Sequence, residues 1–399
     1  MKINVSPSLR ADYLQVAPMR NFCSAHGLNV SENKQDMINN IVDYAGENEE
    51  ERNYIEAHEW ILKCIREGSN EIYFKKVYHT AFTKTEKNEI EECIQNRFGN
   101  VPQKDILRYR NTDTLELINY EIFQRDKKIY LVRFIFSRNV LEGKSHESGE
   151  LRALPIYVEW YVTEGFLVGR VKAKTGLFNR DGESLIANPK NKVQTFALVK
   201  DAIEKVCITL QFSEDTDNTA KNRLQKMLYK LYERYSFTPE EVRKKIVSVL
   251  PDAKKYIQET FNKMGIDPCM IVKAAEDMEV FLEKYVAIGG INEEEYKKDR
   301  EAYIIKISSD DVQDLSRFET ATPMEKPLQC TDVFYDSKKT VQKNKQCKAV
   351  DLCYNRLRGY LGKYYIRFTN KGKYGLLKTY YHPEECDIQN VLQTIFEIY

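Results

Sequence analysis

The sequence predicts an α+β protein in which helical and strand-rich stretches follow one another along the chain. Apolar residues recur at helical spacing over residues 1–110, which we expect to be mostly helical, and again over 218–288. Over residues 115–212 they alternate with polar residues, as in a largely antiparallel sheet with one face open to water. Strand patterns return over residues 301–399. The predicted chain therefore has a helical N-terminal segment, a β-rich middle, a helical bundle segment and a β-rich C-terminal part.

These changes of pattern divide the chain into five predicted segments. They are a helix-loop-helix module, a helical segment, a β-rich domain, a second helical segment and a β-rich C-terminal domain with a basic hairpin. Their bounds are 1–46, 47–110, 111–216, 217–292 and 293–399.

Composition narrows the classes of function. The chain has 399 residues, enough for two or three domains, and its 42% hydrophobic and 30% charged residues are typical of a soluble globular protein. The net charge of +1 means that any attraction to a polyanion or a membrane must be local. No apolar run approaches 18 residues, the N-terminus lacks the apolar core of a signal peptide, and the nine cysteines are scattered. We therefore expect free thiols, a cytoplasmic location (nuclear in a eukaryote) and no membrane partner.

Several helix ends are marked by capping residues and helix breakers. Residues 52–67 keep a helical pattern, and Thr85 is a candidate cap for the helix that follows. Thr238-Pro239 and Asp267-Pro268 each predict a helix start, because proline is tolerated at the first helical position. Asp387 begins a final predicted helix.

Two β-hairpins are predicted. Residues 156–162 alternate, turn at 163–165 and return through 166–174. The clearer hairpin joins 364–369 to 374–380 through a glycine-containing turn.

The N-terminal module is the most informative stretch. Two short apolar faces at helical spacing flank a loop in which Leu28 and Val30 are predicted to be buried, and Ser31 is a candidate cap for the second helix. The residues of the two faces are Met19, Phe22 and Cys23, then Met37, Ile38, Ile41 and Val42.

Residues 18–44 resemble the SAP family of helix-loop-helix DNA-binding modules. His26-Gly27-Leu28, Ser31, Lys34 and the run 37–41 fall on that family's pattern, whereas Glu32 stands where many members carry glycine. The resemblance covers about a tenth of the chain. It implies DNA contact, with Lys34 and the amides from Ser31 to Asn33 touching phosphate at a helix N-terminus.

An alternative interpretation is that these helices simply pack on the next domain. Residues 1–46 carry four Lys or Arg and four Asp or Glu, so they have no electrostatic bias towards a polyanion.

A basic run at 338–378 is the second indication of nucleic-acid binding. It holds twelve Lys or Arg against Asp351 alone, a net of +11, with tyrosines interleaved. On the strand 364–369, alternate residues share a face, so one face is predicted to be core and the other basic and aromatic. The alternative is a solvated sheet face whose lysines prevent edge aggregation. The candidate contacts are Arg356, Arg358, Lys363, Tyr365, Arg367, Lys371, Lys373 and Lys378.

Metal binding and catalysis have weak signals. Cysteines and a histidine cluster between residues 330 and 386, but without the Cys-x2-Cys spacing typical of zinc sites, so we expect no metal and no cofactor. Phosphate-binding glycine loops, zinc-protease motifs and nucleophile-elbow motifs do not occur in the sequence. The residues of the candidate zinc cluster are Cys330, Cys347, Cys353, His382 and Cys386.

The predicted function is a non-enzymatic nucleic-acid-binding protein, with DNA favoured. We expect it to work with protein partners in a DNA-handling assembly such as replication, segregation or defence against foreign DNA. Two alternatives stay open. One is a protein–protein scaffold that binds through its tyrosine-rich sheets; the other is a divergent metal-dependent nuclease. The nuclease carboxylates would be Glu159 with Arg170 and Lys172, or Asp332 and Asp336 with Lys338.

Overall fold

The computed structural model describes residues 2–289, 292–310, 317–323, 326–356, 362–380 and 383–399. Helices and antiparallel strands are both abundant in these residues, so the predicted α+β class is confirmed. Within these ranges no helix is long and apolar enough to cross a membrane.

The helices and strands are numbered in chain order. The α-helices of the described residues are α1 (Pro7–Tyr13), α2 (Val16–Ala25), α3 (Lys34–Ala45), α4 (Arg52–Glu67), α5 (Lys87–Phe98), α6 (Thr195–Leu210), α7 (Asp217–Tyr235), α8 (Glu240–Lys263), α9 (Pro268–Gly289), α10 (Asp332–Asn344) and α11 (Glu385–Ile398). The strands are β1 (Glu71–Lys76), β2 (Glu116–Arg125), β3 (Lys128–Glu142), β4 (Glu150–Tyr161), β5 (Phe166–Val171), β6 (Leu177–Phe178), β7 (Lys192–Val193), β8 (Ala302–Asp310), β9 (Arg317–Ala321), β10 (Ala349–Asn355), β11 (Lys363–Lys371) and β12 (Tyr374–Tyr380).

The chain forms two compact units, and each is discontinuous in sequence. Unit 1 consists of Met1–Ala220, Lys373–Lys378 and His382–Gln389. Unit 2 consists of Lys221–Gly372, Thr379–Tyr381 and Asn390–Tyr399.

Unit 1 is built on an antiparallel sheet with the strand order β7–β6–β3–β4–β5–β1–β12. β2 pairs with β3 along residues 128–137, on the edge where β6 pairs with the last residues of β3. β1 lies between β5 and β12, because Glu71 is opposite Val171 on one side and opposite Lys378 on the other. This strand interrupts the stretch that was predicted to be mostly helical.

The prediction that one face of this sheet is exposed to water is wrong. Residues 153–161 of β4 and all residues of β5 are buried. On one face Trp160 shares an apolar cluster with Val199 of α6; on the other Tyr157 joins a cluster formed mainly by α1 to α4. Because both faces are covered, the polar residues of the alternating pattern, Glu159 among them, lie inside unit 1.

Unit 2 contains an antiparallel sheet with the order β11–β10–β8–β9. Helices α8 and α9 pack against each other as a helical hairpin, and α10 contacts α9. α8 buries Val242, Ile246 and Ile257, a narrow stripe at helical spacing.

Several helix starts differ from prediction by a residue or two. α8 begins after Pro239 rather than at it, and the hydroxyl of Thr238 donates a 2.6 Å hydrogen bond to Glu283 instead of capping the helix. α5 begins at Lys87, so Glu86 and not the predicted Thr85 stands at the N-cap position. Asp267 does cap α9, since its carboxylate accepts a 2.7 Å hydrogen bond from the amide of Cys269.

Candidate nucleic-acid interface

The SAP-like stretch forms two helices, α2 and α3, joined by a loop. Gly27 has a φ of 66°, a conformation that favours glycine, and the amide of Leu28 donates a 2.8 Å hydrogen bond to the carbonyl of Cys23 at the end of α2. Both helices contribute to the apolar cluster that also holds α1 and α4. The alternative interpretation, that these helices pack on the segment next to them, is therefore correct. Their contact with DNA stays a prediction. The buried residues of the two helices are Met19, Phe22, Cys23, Met37, Ile38, Ile41 and Ala45.

The loop differs from prediction in two ways. Asn33, not Ser31, caps α3, because its side-chain oxygen accepts a 2.9 Å hydrogen bond from the amide of Gln35. The hydroxyl of Ser31 instead accepts a 3.0 Å bond from the amide of Asn33 and orders the approach to the helix. Leu28 is only half-buried and Val30 is 44% exposed, so the prediction of two buried loop residues is wrong for Val30.

Lys34 is the first residue of α3 and is half-buried. Its ammonium donates a 3.4 Å hydrogen bond to the carbonyl of Ala11 near the end of α1. Burial lowers the pKa of Lys34 from its usual value, and the charge of Asp12 acts in the opposite sense. The structure thus brings Ser31, Asn33 and Lys34 together at one helix N-terminus.

The second predicted contact surface is one face of β11 in unit 2. Lys363, Tyr365 and Arg367 are partly exposed on this face, while the residues between them are buried, as the alternation predicted. Asp351 of β10 lies opposite Arg367, and its carboxylate is 3.6 Å from the guanidinium. The Lys363 ammonium lies 5.7 Å from the centre of the buried Tyr303 ring. Tyr365 packs against the apolar cluster that contains Tyr303 and is partly exposed.

The other residues of the basic run do not all join this face. Lys373 and Lys378 belong to unit 1, where they pair with Glu214 at 2.8 Å and with Glu71 at 3.4 Å. Lys371 is exposed at the end of β11.

The remaining two candidates are arginines. Arg356 places its guanidinium 5.4 Å from the centre of the Tyr364 ring. Arg358 lies outside the described residues.

The net charge of the run therefore overstates the charge of any one surface. Two further members, Lys338 and Lys339 on α10, pair with Glu283 and Asp277 of α9. Acidic partners from outside the run neutralise these lysines, as they do Lys373.

The nuclease alternative placed a metal at Glu159, which the structure surrounds with cations. Glu121, Arg133 and Glu159 lie side by side across β2, β3 and β4. The fully buried Glu159 carboxylate is 2.8 Å from Arg133 through one oxygen and 2.8 Å from Arg170 through the other. Two guanidinium groups repel a divalent cation, so this carboxylate suits a structural ion pair and not a metal site.

This row of charges continues to the N-terminus of α11. Arg170 is 2.8 Å from Glu385. The side-chain amide of Gln389 donates hydrogen bonds to Glu385 and, at 2.8 Å, to the hydroxyl of Tyr161. Burial alone would raise the pKa of Glu385, but the charge and hydrogen bonds of Arg170, assisted by Arg66, lower it from 4.5 to about 2. The buried charges of unit 1 therefore stabilise one another.

A cleft of about 590 Å³ in unit 1 is also bordered by cations, and its three arginines have partners. Arg66 is 3.3 Å from Glu385, and Arg108 is 2.9 Å from Glu49. The third arginine of the cleft, Arg133, is held by the row described above. These arginines consequently offer little positive charge to an outside anion.

The other candidate sites for chemistry are likewise occupied by structural contacts. Asp332 and Asp336 of α10 lie 3.1 and 3.0 Å from one ammonium, that of Lys284. Burial raises the pKa of Cys330 and of Cys347 to about 12, so both thiols are protonated at neutral pH, whereas metals bind thiolates.

His382, the histidine of the candidate zinc cluster, falls outside the described residues. In the part of the chain that is described, no group of three or more His, Cys, Asp or Glu side chains is arranged to hold a metal ion.

Comparison with known proteins gives no match. Neither a protein-family model, nor a curated protein, nor a solved structure matches this chain. The function must therefore be argued from the residues themselves.

Proposed function

We propose that this protein binds nucleic acid, with DNA favoured, as a non-enzymatic component of a DNA-handling assembly. The observation that supports the proposal is the convergence of Ser31, Asn33 and Lys34 at the start of α3. A helix N-terminus carries partial positive charge, and a lysine beside it adds a full charge for phosphate. These are the residues to which the SAP resemblance assigns phosphate contact.

The accessible face of β11 supplies a second, sequence-independent contact in this proposal. Lys363 and Arg367 would neutralise phosphates, and the ring of Tyr365 would stack on an unpaired base. Two weak contacts on one chain raise the overall affinity through effective concentration.

The test is fluorescence anisotropy of labelled duplex DNA, single-stranded DNA and RNA over a salt series. The proteins compared are the wild type, Lys34→Ala, a Lys363→Ala/Lys371→Ala double variant, and Lys128→Ala as the control. Lys128 is exposed and has no ion pair among the described residues. Point variants replace deletion of residues 1–46, because α1 to α3 form part of the core of unit 1.

We expect duplex DNA to bind with a steep salt dependence. Each lost phosphate contact should lower the slope of log K against log salt by about 0.9. The Lys34→Ala and double variants should show this reduction, and the control should behave as wild type. Absence of binding by wild-type protein at low salt would refute the proposal.

A second candidate function, protein binding, is favoured by the α8–α9 hairpin rather than by the tyrosine-rich sheets. Nine large apolar side chains on the hairpin are at least 40% exposed, an unusual density for a solvated surface. Asp277 and Glu283 of α9 are already paired with Lys339 and Lys338 of α10, so a contact between the hairpins of two copies would be mainly apolar. The nine residues are Val247, Val249, Tyr256, Met264, Met270, Val272, Phe281, Tyr285 and Ile288.

Sedimentation velocity over a concentration series tests self-association through this hairpin. Phe281 and Tyr285 have ring centres 4.7 Å apart and are 52% and 58% exposed. Phe281→Glu should shift a concentration-dependent dimer to monomer, and Phe82→Glu, at a 69% exposed phenylalanine of unit 1, should not. A wild-type protein that is monomeric at high concentration would exclude this candidate.

A further inference from the structure

Two lysines that follow β5 lie at the end of α1, which Lys34 of α3 also contacts, although they are more than a hundred residues away from both helices in sequence. The ammonium of Lys174 is 2.8 Å from Asp12 and 2.7 Å from Glu142, and its side chain is 7% exposed. Lys172 is half-buried, with its ammonium 5.8 Å from the centre of the Tyr13 ring. The two neighbouring lysines therefore have different surroundings.

Lys174 is neutralised and Lys172 is not. Lys174 lies between two carboxylates, whereas Lys172 makes no ion pair and no hydrogen bond through its ammonium to any described residue. Arg152 lies 3.1 Å from the same Glu142 oxygen as Lys174 and also pairs with Glu150 at 2.6 Å. The cluster holds four cations and four anions, so its charges balance in number, but Lys172 has no carboxylate partner. Its members are Lys34, Lys172, Lys174 and Arg152 with Asp12, Glu142, Glu150 and Asp36, which accepts a 3.1 Å hydrogen bond from Ser31 in the first turn of α3.

The electrostatic environment of Lys172 agrees with its lack of a carboxylate partner. Burial lowers the pKa of Lys172 first, Asp12 partly restores it, and the charges of Lys174 and Lys34 lower it further. A bound anion would relieve the repulsion between these ammonium groups, since it would neutralise the charge that Asp12 cannot.

We propose that Lys172, Lys34 and the N-terminus of α3 form a binding site for one phosphodiester group of a nucleic acid. This inference rests on the proposed function and deepens it. It adds Lys172, which follows β5 of the sheet, to a DNA-binding surface otherwise made by the helix-loop-helix alone. Lys172 supplies the free charge, and the dipole of the 12-residue α3 adds to it.

Two neighbours position the free lysine. The face of the buried Tyr13 ring attracts the Lys172 ammonium and limits its directions. Lys174 forms an ion pair with Asp12. This pairing limits the competition between the Asp12 carboxylate and a phosphate for Lys172. Tyr13 and Lys174 are thus positioning residues, and Lys172 is the contact residue.

The test measures duplex DNA binding by the full chain as Lys172→Ala, Lys34→Ala, the double variant and the Lys128→Ala control. Tryptophan fluorescence of each protein confirms that unit 1 is folded, because Trp60 and Trp160 both belong to it. Because Lys172 and Lys34 would hold the same phosphate, the double variant should lower the salt slope by about 0.9 and the affinity at 0.1 M salt by on the order of tenfold, and each single variant should lower the slope by at most that amount.

A competition arm separates a nucleic-acid phosphodiester from free phosphate as the ligand. Inorganic phosphate is titrated into the complex at constant ionic strength. Little displacement at millimolar phosphate is expected, since the site contributes one contact among several. Complete displacement at micromolar phosphate would show a free-phosphate site and overturn the inference.

The outcomes distinguish this inference from the proposed function. Wild-type binding with an unchanged slope for folded Lys172→Ala overturns the phosphodiester site and leaves nucleic-acid binding intact. A folded wild type that binds no nucleic acid overturns both. A reduced slope in Lys172→Ala but not in Lys128→Ala supports the site.

Discussion

Glu385→Gln is the most incisive test of the buried charges in unit 1. The substitution keeps the size of the side chain and removes its charge at the N-terminus of α11, beside Arg170. The folded-state pKa of Glu385, about 2, is 2.5 below 4.5, its value in the absence of these contacts. At 1.36 kcal/mol per pKa unit this difference corresponds to about 3 kcal/mol of the free energy of unfolding at pH 7. The side chain is 18% exposed, so solvent screening is limited.

The pH dependence follows from the sign of the shift. Because the folded-state pKa is depressed, the stabilisation is fully present above about pH 4.5 and is lost as the pH falls towards 2. The wild type and Glu385→Gln should therefore differ by about 3 kcal/mol at pH 7, by about 1 kcal/mol at pH 3, and hardly at all near pH 2.

Urea unfolding followed by tryptophan fluorescence measures this difference, because the protein's two tryptophans, Trp60 and Trp160, both report on unit 1. Glu150→Gln is the matched control: its carboxylate is 2.6 Å from Arg152 but 72% exposed, so its loss should change stability by less than about 1 kcal/mol. A Glu385→Gln variant as stable as wild type at pH 7, or one equally destabilised at pH 7 and pH 2, would refute the argument.

The same fluorescence assay checks three further predictions. Glu159→Gln should lower the free energy of unfolding by about 3 kcal/mol, because its two buried arginines lose a charged partner; an effect below 1 kcal/mol would contradict the structural role. Gly375→Ala should cost about 1–3 kcal/mol, since the new methyl group would overlap the ring of Phe74 on the paired strand, and a neutral result would mean that this ring moves freely. Asn33→Ala should cost about 1 kcal/mol through loss of the α3 cap and Ser31→Ala less, so the reverse order would contradict the assignment of the cap.

Local sequence signals predicted the elements that depend on local contacts. α4 ends before Gly68, Asp267 caps α9, and the strands β4 and β5 are joined at Gly165, whose φ is 64°. In each case the deciding residue acts on its own neighbours in the chain, so its effect is visible in a short window.

The covered second face of the unit 1 sheet could not be predicted from alternation. Glu159 and Arg170 occupy the positions of a solvent-facing row, and their burial depends on the distant helix that carries Glu385. A sequence signal did exist: Arg133 and Glu159 fall on neighbouring strands at opposing positions, and opposite charges there stabilise a pair whether or not water is present. Alternation alone does not distinguish a wet face from a buried ionic one.

The candidate site was predicted in part for the same reason. The helix-loop-helix residues are local, so the pattern predicted a helix start near Lys34, although it named Ser31 and not Asn33 as the cap. Lys172 comes near α1 and Lys34 through the fold of the sheet, which no spacing in the sequence encodes. Conversely, the charge of the basic run was overestimated because carboxylates such as Glu214 come from elsewhere in the chain.

The position of β1 has a consequence for how the protein is made. One of its neighbours, β5, follows it within about a hundred residues, but the other, β12, is separated from it by some three hundred. While the ribosome adds unit 2, the hydrogen-bonding edge of β1 is therefore open, and Arg170 lacks its partner on α11. A fragment that ends near residue 220 should accordingly aggregate through that edge, and addition of residues 373–389 in trans should suppress the aggregation.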